Sequence, residues 1–216
     1  MITLSEFRRL DLRVGEIVAS ALYCFDLSEV FSSLYLGSTQ AGVPQYAAFH
    51  NGTLLRSVTS FQHEPQIEAK RRLLCGNYNS QALVDIAHLE LALMERGLKG
   101  AYGGLTGSTA TDIMNVVRGS FCACLDIRAL CGKGGSAPYW YDAAGALPVA
   151  MGRGLSVIVT DAQGLLLHGG NHDIYTPVAY VVARPQVEEA VVEVIRMTVC
   201  PGFLNESSLP AAVGHE

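Results

Sequence analysis

The sequence predicts an α+β fold, in which an antiparallel or mixed sheet built from two hairpins and flanking strands packs with four helices. Two observations predict the hairpins: Asn51-Gly52 separates two apolar segments, and a turn at 161–164 separates two more. The third observation is the order of the segments, because strand and helix patterns do not alternate one by one. That order favours α+β layers over a doubly wound parallel sheet.

The first predicted elements are a strand, a helix and a hairpin. Residues 12–18 alternate apolar with polar or small side chains, which is the period of a half-buried strand. Apolar residues at helical spacing predict a short helix at 27–34. Asn51-Gly52 accepts the positive φ angles of a two-residue turn, so the sequence predicts a hairpin with strands at 46–50 and 53–58.

The second part of the chain carries most of the predicted helices. An amphipathic helix is predicted at 80–97, and a largely buried helix is predicted from residue 108 to Cys131. A hairpin at 155–168, a strand at 178–182 and a helix that begins at Pro185 follow. The stripe predicted to face the core in the helix at 80–97 contains Leu83, Ile86, Ala87, Leu91 and Met94.

The length of 216 residues suits a single compact domain over 1–216, or two closely packed halves with a boundary near the glycine-rich segment 132–138. The composition is 50% hydrophobic and only 16% charged, and the mean hydropathy is +0.26. Because monomers rarely expose large apolar patches, we expect part of this surface to be covered in a homo-oligomer.

Charge and cysteine content limit where the protein acts and what it binds. Every apolar run is too short for a transmembrane helix, and the N-terminus lacks the pattern of a secretory signal, so we expect a cytoplasmic protein that makes no membrane contact. The six cysteines are expected to be free thiols. A net charge of −5 argues against general affinity for nucleic acid.

A glycine-rich segment before a predicted helix is the first candidate ligand site. Glycines allow close backbone approach, and the amides of a helix N-terminus attract anions, which predicts a small anionic ligand such as a phosphate or carboxylate. The alternative is a structural loop that ends in a Ser/Thr cap. Asp112 in the first turn would oppose an anion. The predicted ligand-binding residues are Gly103, Gly104, Thr106, Gly107, Ser108 and Thr109.

Two histidines and a carboxylate close together form the second candidate site. His168, His172 and Asp173 lie within six residues, and these side chains are suited to acid/base catalysis or to binding a divalent ion. The sequence leaves open whether any metal or other cofactor is bound. A polar surface loop without catalytic function is the alternative.

Cysteines and aromatic residues provide two further observations. Cys122 and Cys124 are two apart on a predicted helix and would face different sides, which favours core packing over a shared metal. Cys131 beside Lys133 could be a reactive thiolate, although a helix C-terminus disfavours negative charge. The segment 139–142, Tyr-Trp-Tyr-Asp, could stack on a planar ligand or serve as an interface or core anchor.

Two local segments resemble known families. Residues 7–18 are similar to the opening strand of the small OB-fold tRNA-binding domain family, with looser similarity at 37–43 and 60–65, over less than a third of the chain. The resemblance implies RNA or tRNA binding by the N-terminal segment. The 159–166 hairpin resembles the central hairpin of small-molecule sensor domains. Arginines that would contact RNA are Arg8, Arg9, Arg13, Arg71 and Arg72.

Three functional hypotheses follow from these features. The first is a cytosolic homo-oligomer that binds a small anionic molecule; the sequence leaves open whether it is an enzyme and identifies no reaction. The second is a non-catalytic small-molecule sensor or assembly protein. The third is the RNA-binding module, which the acidic composition disfavours.

Overall fold

The computed structural model of the protein describes residues 19–26, 31–38, 45–50, 53–58, 72–75, 82–103, 108–132, 137–167, 173 and 175–204. Side chains are described from residue 82 onward, except at 99–103. The predicted strand at 12–18 lies outside these ranges. The described strands form one antiparallel and one mixed sheet packed with helices, so the predicted α+β class is confirmed.

The first sheet is an antiparallel meander in the N-terminal part of the chain. His50 pairs with Thr53, so Asn51-Gly52 alone connects two strands and the predicted hairpin is confirmed. The predicted helix at 27–34 is wrong at residues 31–34, which belong to an inner strand paired on both sides. That pairing outweighs the helical spacing of a few apolar side chains. The strands are β1 (Ala19–Asp26), β2 (Phe31–Ser38), β3 (Gln45–His50) and β4 (Thr53–Val58).

The second sheet is mixed and has the strand order β6-β5-β7-β9-β8. Its strands are β5 (Arg72–Cys75), β6 (Lys99–Gly103), β7 (Ala123–Asp126), β8 (Ser156–Thr160) and β9 (Ala179–Ala183). β5 is parallel to β6 and β7, whereas β9 is antiparallel to β7 and β8. The carboxyl ends of β5, β6, β7 and β8 therefore lie at one edge, where β9 begins. We call it the carboxyl edge.

Helices cover both faces of the second sheet. Leu125 and Val181 pack with α1 (Leu83–Glu95) and α5 (Pro185–Thr198) on one face. The neighbouring residues Cys124 and Val182 point to the other face, because side chains alternate along a strand. That face is covered by α2 (Thr109–Val117), α3 (Trp140–Ala144) and α4 (Leu147–Gly152).

Helix α4 lies between the two sheets. It packs against β1, β2 and β3 of the first sheet and against β8 of the second. Leu147, Val149 and Ala150 are buried in this position. Within the described residues, no helix is long and apolar enough to cross a membrane.

The predicted helix at 80–97 is confirmed as α1, but part of its predicted buried stripe is wrong. Ile86, Leu89 and Leu93 are buried, whereas Leu91 is 60% exposed and Met94 is 52% exposed. The helical period allowed more than one apolar face, and packing against α5 and the sheet selected the one that contains Leu89 and Leu93.

The predicted long helix from residue 108 to Cys131 is wrong beyond Val117. Gly119 has a φ of 87° and follows the last helical turn. Its N–H donates to the Val116 carbonyl at 2.9 Å, and the Ser120 N–H donates to the Asn115 carbonyl at 2.9 Å. This pair of bonds is a Schellman motif, which ends α2 and redirects the chain into β7.

The predicted hairpin at 155–168 is correct in its first strand and turn only. The Asp161 carboxylate accepts hydrogen bonds from the Gln163 and Leu165 amides at 2.9 Å, which closes the turn. The returning segment makes one isolated bridge at Leu166, because β9 is the main partner of β8. The predicted strand at 178–182 and the helix that begins at Pro185 are confirmed as β9 and α5.

Candidate functional site

A cluster of polar side chains, four of them buried and one half-buried, lies at the carboxyl edge, beneath the start of α2. We call Thr109, Asp112, Asp126, Arg128 and Tyr180 the polar cluster. Asp112 and Asp126 are 2% exposed and Arg128 is 7% exposed. Because burying a charge is costly unless it is paired, three charged groups at such a position need specific partners.

The sheet register and the helical repeat together place these residues. Asp126 is the last residue of β7 and pairs with Tyr180 on β9, so the two side chains are neighbours on the face that α2 covers. Thr109 and Asp112 are three residues apart in the first turn of α2 and project from the same side of the helix. The two carboxylates therefore both lie near the phenol of Tyr180.

Arg128 and Asp126 form a buried ion pair. Arg128 Nη2 donates to Asp126 Oδ2 at 2.6 Å, and Arg128 Nε donates to Asp126 Oδ1 at 2.9 Å. The Arg128 backbone amide donates to Oδ1 at 3.1 Å, which fixes the turn after β7. Arg128 Nη1 makes no hydrogen bond within the described part of the chain. It is a donor that the ion pair does not use.

Tyr180 connects α2 to this ion pair. Burial raises its pKa well above the usual value of 10.0, and the electrostatic influence of the neighbouring Cys124, Asp126 and Asp112 side chains acts in the same direction. A hydrogen bond with the Thr109 side chain acts in the opposite direction. The phenol therefore keeps its proton throughout the physiological pH range and holds the first turn of α2 against β9.

The predicted glycine-rich ligand site is described only in part. Gly103 ends β6, Ser108 precedes α2 and Thr109 begins it, whereas Gly104, Thr106 and Gly107 lie outside the described residues. Ser108 Oγ accepts a hydrogen bond from the Thr111 amide at 3.4 Å, so Ser108 caps α2, whereas the choice between a ligand site and a structural loop stays a prediction. The half-buried Thr109 side chain makes a hydrogen bond with Tyr180.

The predicted histidine site belongs to the connection between β8 and β9. His168 and His172 lie outside the described residues. Asp173 is exposed, and its Oδ1 accepts a hydrogen bond from the Tyr175 amide at 3.0 Å. This connection starts and ends at the carboxyl edge, and the connection from Gly103 to α2 leaves the same edge. The topology thus places the described ends of both connections, at the ends of β6 and β8 and the starts of α2 and β9, on one side of the sheet.

Three of the described cysteines, Cys122, Cys124 and Cys131, pack against or hydrogen-bond to neighbouring protein groups. Cys124 lies in β7 and Cys122 immediately precedes it, so the predicted helical placement is wrong. They still face different sides, because Cys122 packs towards α1 and α5 and Cys124 towards α2. Cys131 is half-buried, and its Sγ donates to the Ile127 carbonyl at 3.4 Å. Across the residues with described positions, no group of three or more His, Cys, Asp or Glu side chains is arranged to hold a metal ion.

Sequence reasoning missed Asp126, Arg128 and Tyr180. The available signal was a carboxylate and a guanidinium two residues apart, directly after the apolar segment 122–125. Extending the preceding helix through this segment concealed it, because a helix places residues two apart on different sides. A strand end followed by a turn lets the two side chains meet.

No protein-family model matches the sequence, and no curated protein matches it. Its structure is similar to inositol monophosphatase from an Anabaena (Nostoc) species, with a TM-score of 0.50 and 15% identity. That match covers 84% of this chain and 60% of the other chain. Extragenic suppressor protein suhB from Bartonella henselae matches with a TM-score of 0.52 and 13% identity, over 83% of this chain and 58% of that one.

These two matches show the fold of the chain. Both include most of its residues, and both agree with sheets and helices arranged as an α+β structure. The chain spans about three-fifths of the length of each matched structure. The protein therefore has an α+β fold that is similar to part of these two solved structures.

Proposed function

We propose that the protein binds a small phosphate-bearing molecule at the carboxyl edge, where α2 begins above the polar cluster. The observation that carries this proposal is the linked placement of Arg128, Asp126, Tyr180 and the first turn of α2. The fold similarity to a structure described as an inositol monophosphatase supports the same ligand class.

Two features of this edge favour an anion. The N-terminus of α2 carries the positive end of the helix dipole, and its first amides point towards the edge. The guanidinium of Arg128 adds a second source of donors, and its Nη1 is outside the pair with Asp126. Asp112 acts against both features, because it places a carboxylate in the first turn of the same helix.

The finer part of the proposal is hydrolysis of a phosphate monoester. His168, His172 and Asp173 are the acid/base candidates, because their connection shares the carboxyl edge with α2. We also propose that the protein acts in the cytoplasm. We propose in addition that it is a homo-oligomer, because its charged fraction is only 16% and a partner subunit would cover part of its apolar surface.

A non-catalytic phosphate sensor is the second candidate. The observation that favours it is the ion pair itself, because both oxygens of Asp126 accept bonds from Arg128. A carboxylate engaged in this way has less capacity to act as a general base. Binding and turnover must therefore be measured separately.

Titration calorimetry with inositol monophosphate, glycerol 3-phosphate and inorganic phosphate tests binding. Arg128→Lys keeps the charge but loses the planar pair of donors, so we expect about tenfold weaker binding. Asp112→Asn removes the opposing charge with little change in shape, so binding should become several-fold tighter, as a rough estimate from like-charge repulsion. Arg118→Lys, at the exposed C-terminal end of α2, is the control and leaves affinity unchanged.

Release of inorganic phosphate from the same esters then separates the two candidates. Turnover that His172→Ala abolishes, with ligand affinity retained, supports the enzyme. Binding without turnover supports the sensor. The ligand proposal is wrong if the folded parent binds none of the three compounds, or if Arg128→Lys and Asp112→Asn bind them with the affinity of the parent.

A further inference from the structure

Two exposed tyrosines and a half-buried one form an aromatic surface near the start of β9. The rings of Tyr139 and Tyr141 are stacked, with centroids 5.7 Å apart and an interplanar angle of 18°. The ring centroids of Tyr175 and Tyr141 are 6.0 Å apart, and the planes of the two rings make an angle of 75°. Tyr141 is 51% exposed and Tyr175 is 64% exposed. We call these three residues, in which a stacked pair meets a perpendicular ring, the tyrosine corner. It is not the hydrogen-bonded tyrosine motif of β-sandwich proteins that has the same name.

Backbone hydrogen bonds hold the tyrosine corner in place. The Trp140 amide donates to the Thr176 carbonyl at 3.2 Å, and the Val178 amide donates to the Pro138 carbonyl at 2.9 Å. The Asp142 carboxylate accepts from the Tyr139 amide at 2.9 Å at the start of α3. The backbone that carries the rings is therefore fixed before any ligand arrives, which lowers the entropy lost on binding.

The tyrosine corner adjoins the polar cluster. Tyr139 pairs with Pro177, which lies three residues before Tyr180, a span of about 10 Å in extended backbone. Trp140 lies between the two stacked tyrosines in sequence. Its side chain packs against the same buried cluster as Ala110, which is in the first turn of α2. The tyrosine corner and the polar cluster are therefore neighbours along β9.

We propose that the tyrosine corner is a stacking subsite for a planar ring, so that the ligand is a phosphate ester of the nucleoside monophosphate kind. Exposed aromatic faces bind the faces of flat rings, and the hydroxyl groups add polar contacts at the rim. The phosphate half of this ligand rests on the proposed function above. The ring half rests on the tyrosine corner alone.

Calorimetric titration with three probes separates the two halves: adenosine monophosphate carries ring and phosphate, adenosine the ring alone, and glycerol 3-phosphate the phosphate alone. Tyr175→Ala removes an exposed ring, and we expect about tenfold weaker binding of both adenosine compounds with glycerol 3-phosphate unaffected. Tyr175→Phe keeps the ring and restores affinity. Leu91→Ala, at an exposed site on α1 across the sheet, is the control.

The outcomes are distinct for the two proposals. If glycerol 3-phosphate does not bind but adenosine binds and Tyr175→Ala weakens it, the ring subsite stands and the phosphate proposal fails. If Tyr175→Ala binds adenosine monophosphate as tightly as the parent, the ring subsite is wrong. Equal weakening of adenosine monophosphate and glycerol 3-phosphate also overturns it, because the effect is then structural. Failure of the parent to bind either adenosine compound overturns it as well.

Discussion

Arg128 and Asp126 form a buried ion pair, so each side chain neutralises the other. We predict that Arg128→Met lowers the free energy of unfolding by about 3–5 kcal/mol, because it leaves the Asp126 carboxylate buried without its partner. The double variant Asp126→Asn, Arg128→Met should lose less, since no charge is then stranded. Urea denaturation measures both. A double variant that is less stable than Arg128→Met would contradict this account. Arg96→Met, which breaks the exposed ion pair with Glu193, is the control and should cost far less.

Tyr180 makes the free energy of unfolding depend on pH in the alkaline range. Burial raises its folded-state pKa above the ordinary value of 10.0, so the unfolded chain loses this proton first and binds fewer protons than the folded chain. Stability from this group is therefore complete below about pH 10 and falls above it, by up to about 1.4 kcal/mol per pH unit. Tyr180→Phe should remove this loss in urea denaturation series at rising pH. An identical alkaline slope in parent and Tyr180→Phe would refute it, and Tyr175→Phe is the matched control.

Residues whose role is set by local sequence were the predictable part of the candidate site. The Ser108 cap depends on atoms three residues away, so its local pattern contains the necessary information. Asp126 and Tyr180 belong to strands far apart in sequence and meet through the sheet register. That register depends on the pairing of whole strands, which single-residue patterns do not specify.

Among the elements, the same division separates correct from incorrect predictions. The β3–β4 hairpin depends on the two residues of its turn, and α5 begins with a proline at its first position, so both follow from neighbouring residues. β2 was predicted as a helix in part, because its pairing with β1 and β3 is not visible in its own side chains. The end of α2 was missed although Gly119 was a usable signal.

The helix end at Gly119 provides a prediction at this scale. Gly119 has a positive φ, and an added Cβ would lie 3.1 Å from Arg184 Nη2 at the end of a flexible side chain. We predict that Gly119→Ala lowers the free energy of unfolding by about 1–2 kcal/mol, chiefly through backbone strain. Gly145→Ala is the matched control, because Gly145 has a φ of −70° and open space around it. Equal unfolding free energies for the two variants in urea would contradict this explanation.

For the whole molecule, the α+β class was predictable but the arrangement of layers was not. The class follows from the mixture of hairpins and helices, whereas the strand order β6-β5-β7-β9-β8 requires parallel pairing over long chain separations. The Gly103 to Thr109 segment and the segment with His168, His172 and Asp173 were chosen separately from composition. Their shared edge is a property of that strand order. The homo-oligomer stays a prediction, and native mass spectrometry would count its subunits.

The position of α4 between the sheets predicts that the two sheets unfold as one unit, and the single domain over residues 1–216 stays a prediction that this experiment tests. Val149 is fully buried there, so Val149→Ala should lower the free energy of unfolding by about 2 kcal/mol. Fluorescence of Trp140, the one tryptophan, reports the second sheet, and hydrogen exchange at 19–58 reports the first. Both probes should shift equally in Val149→Ala and stay unchanged in Val84→Ala, whose side chain is 62% exposed. If Val149→Ala leaves the hydrogen-exchange rates at 19–58 unchanged but shifts the midpoint of the Trp140 fluorescence transition, the two sheets are separate folding units. A helix shared by both sheets would instead transmit the loss of packing to both.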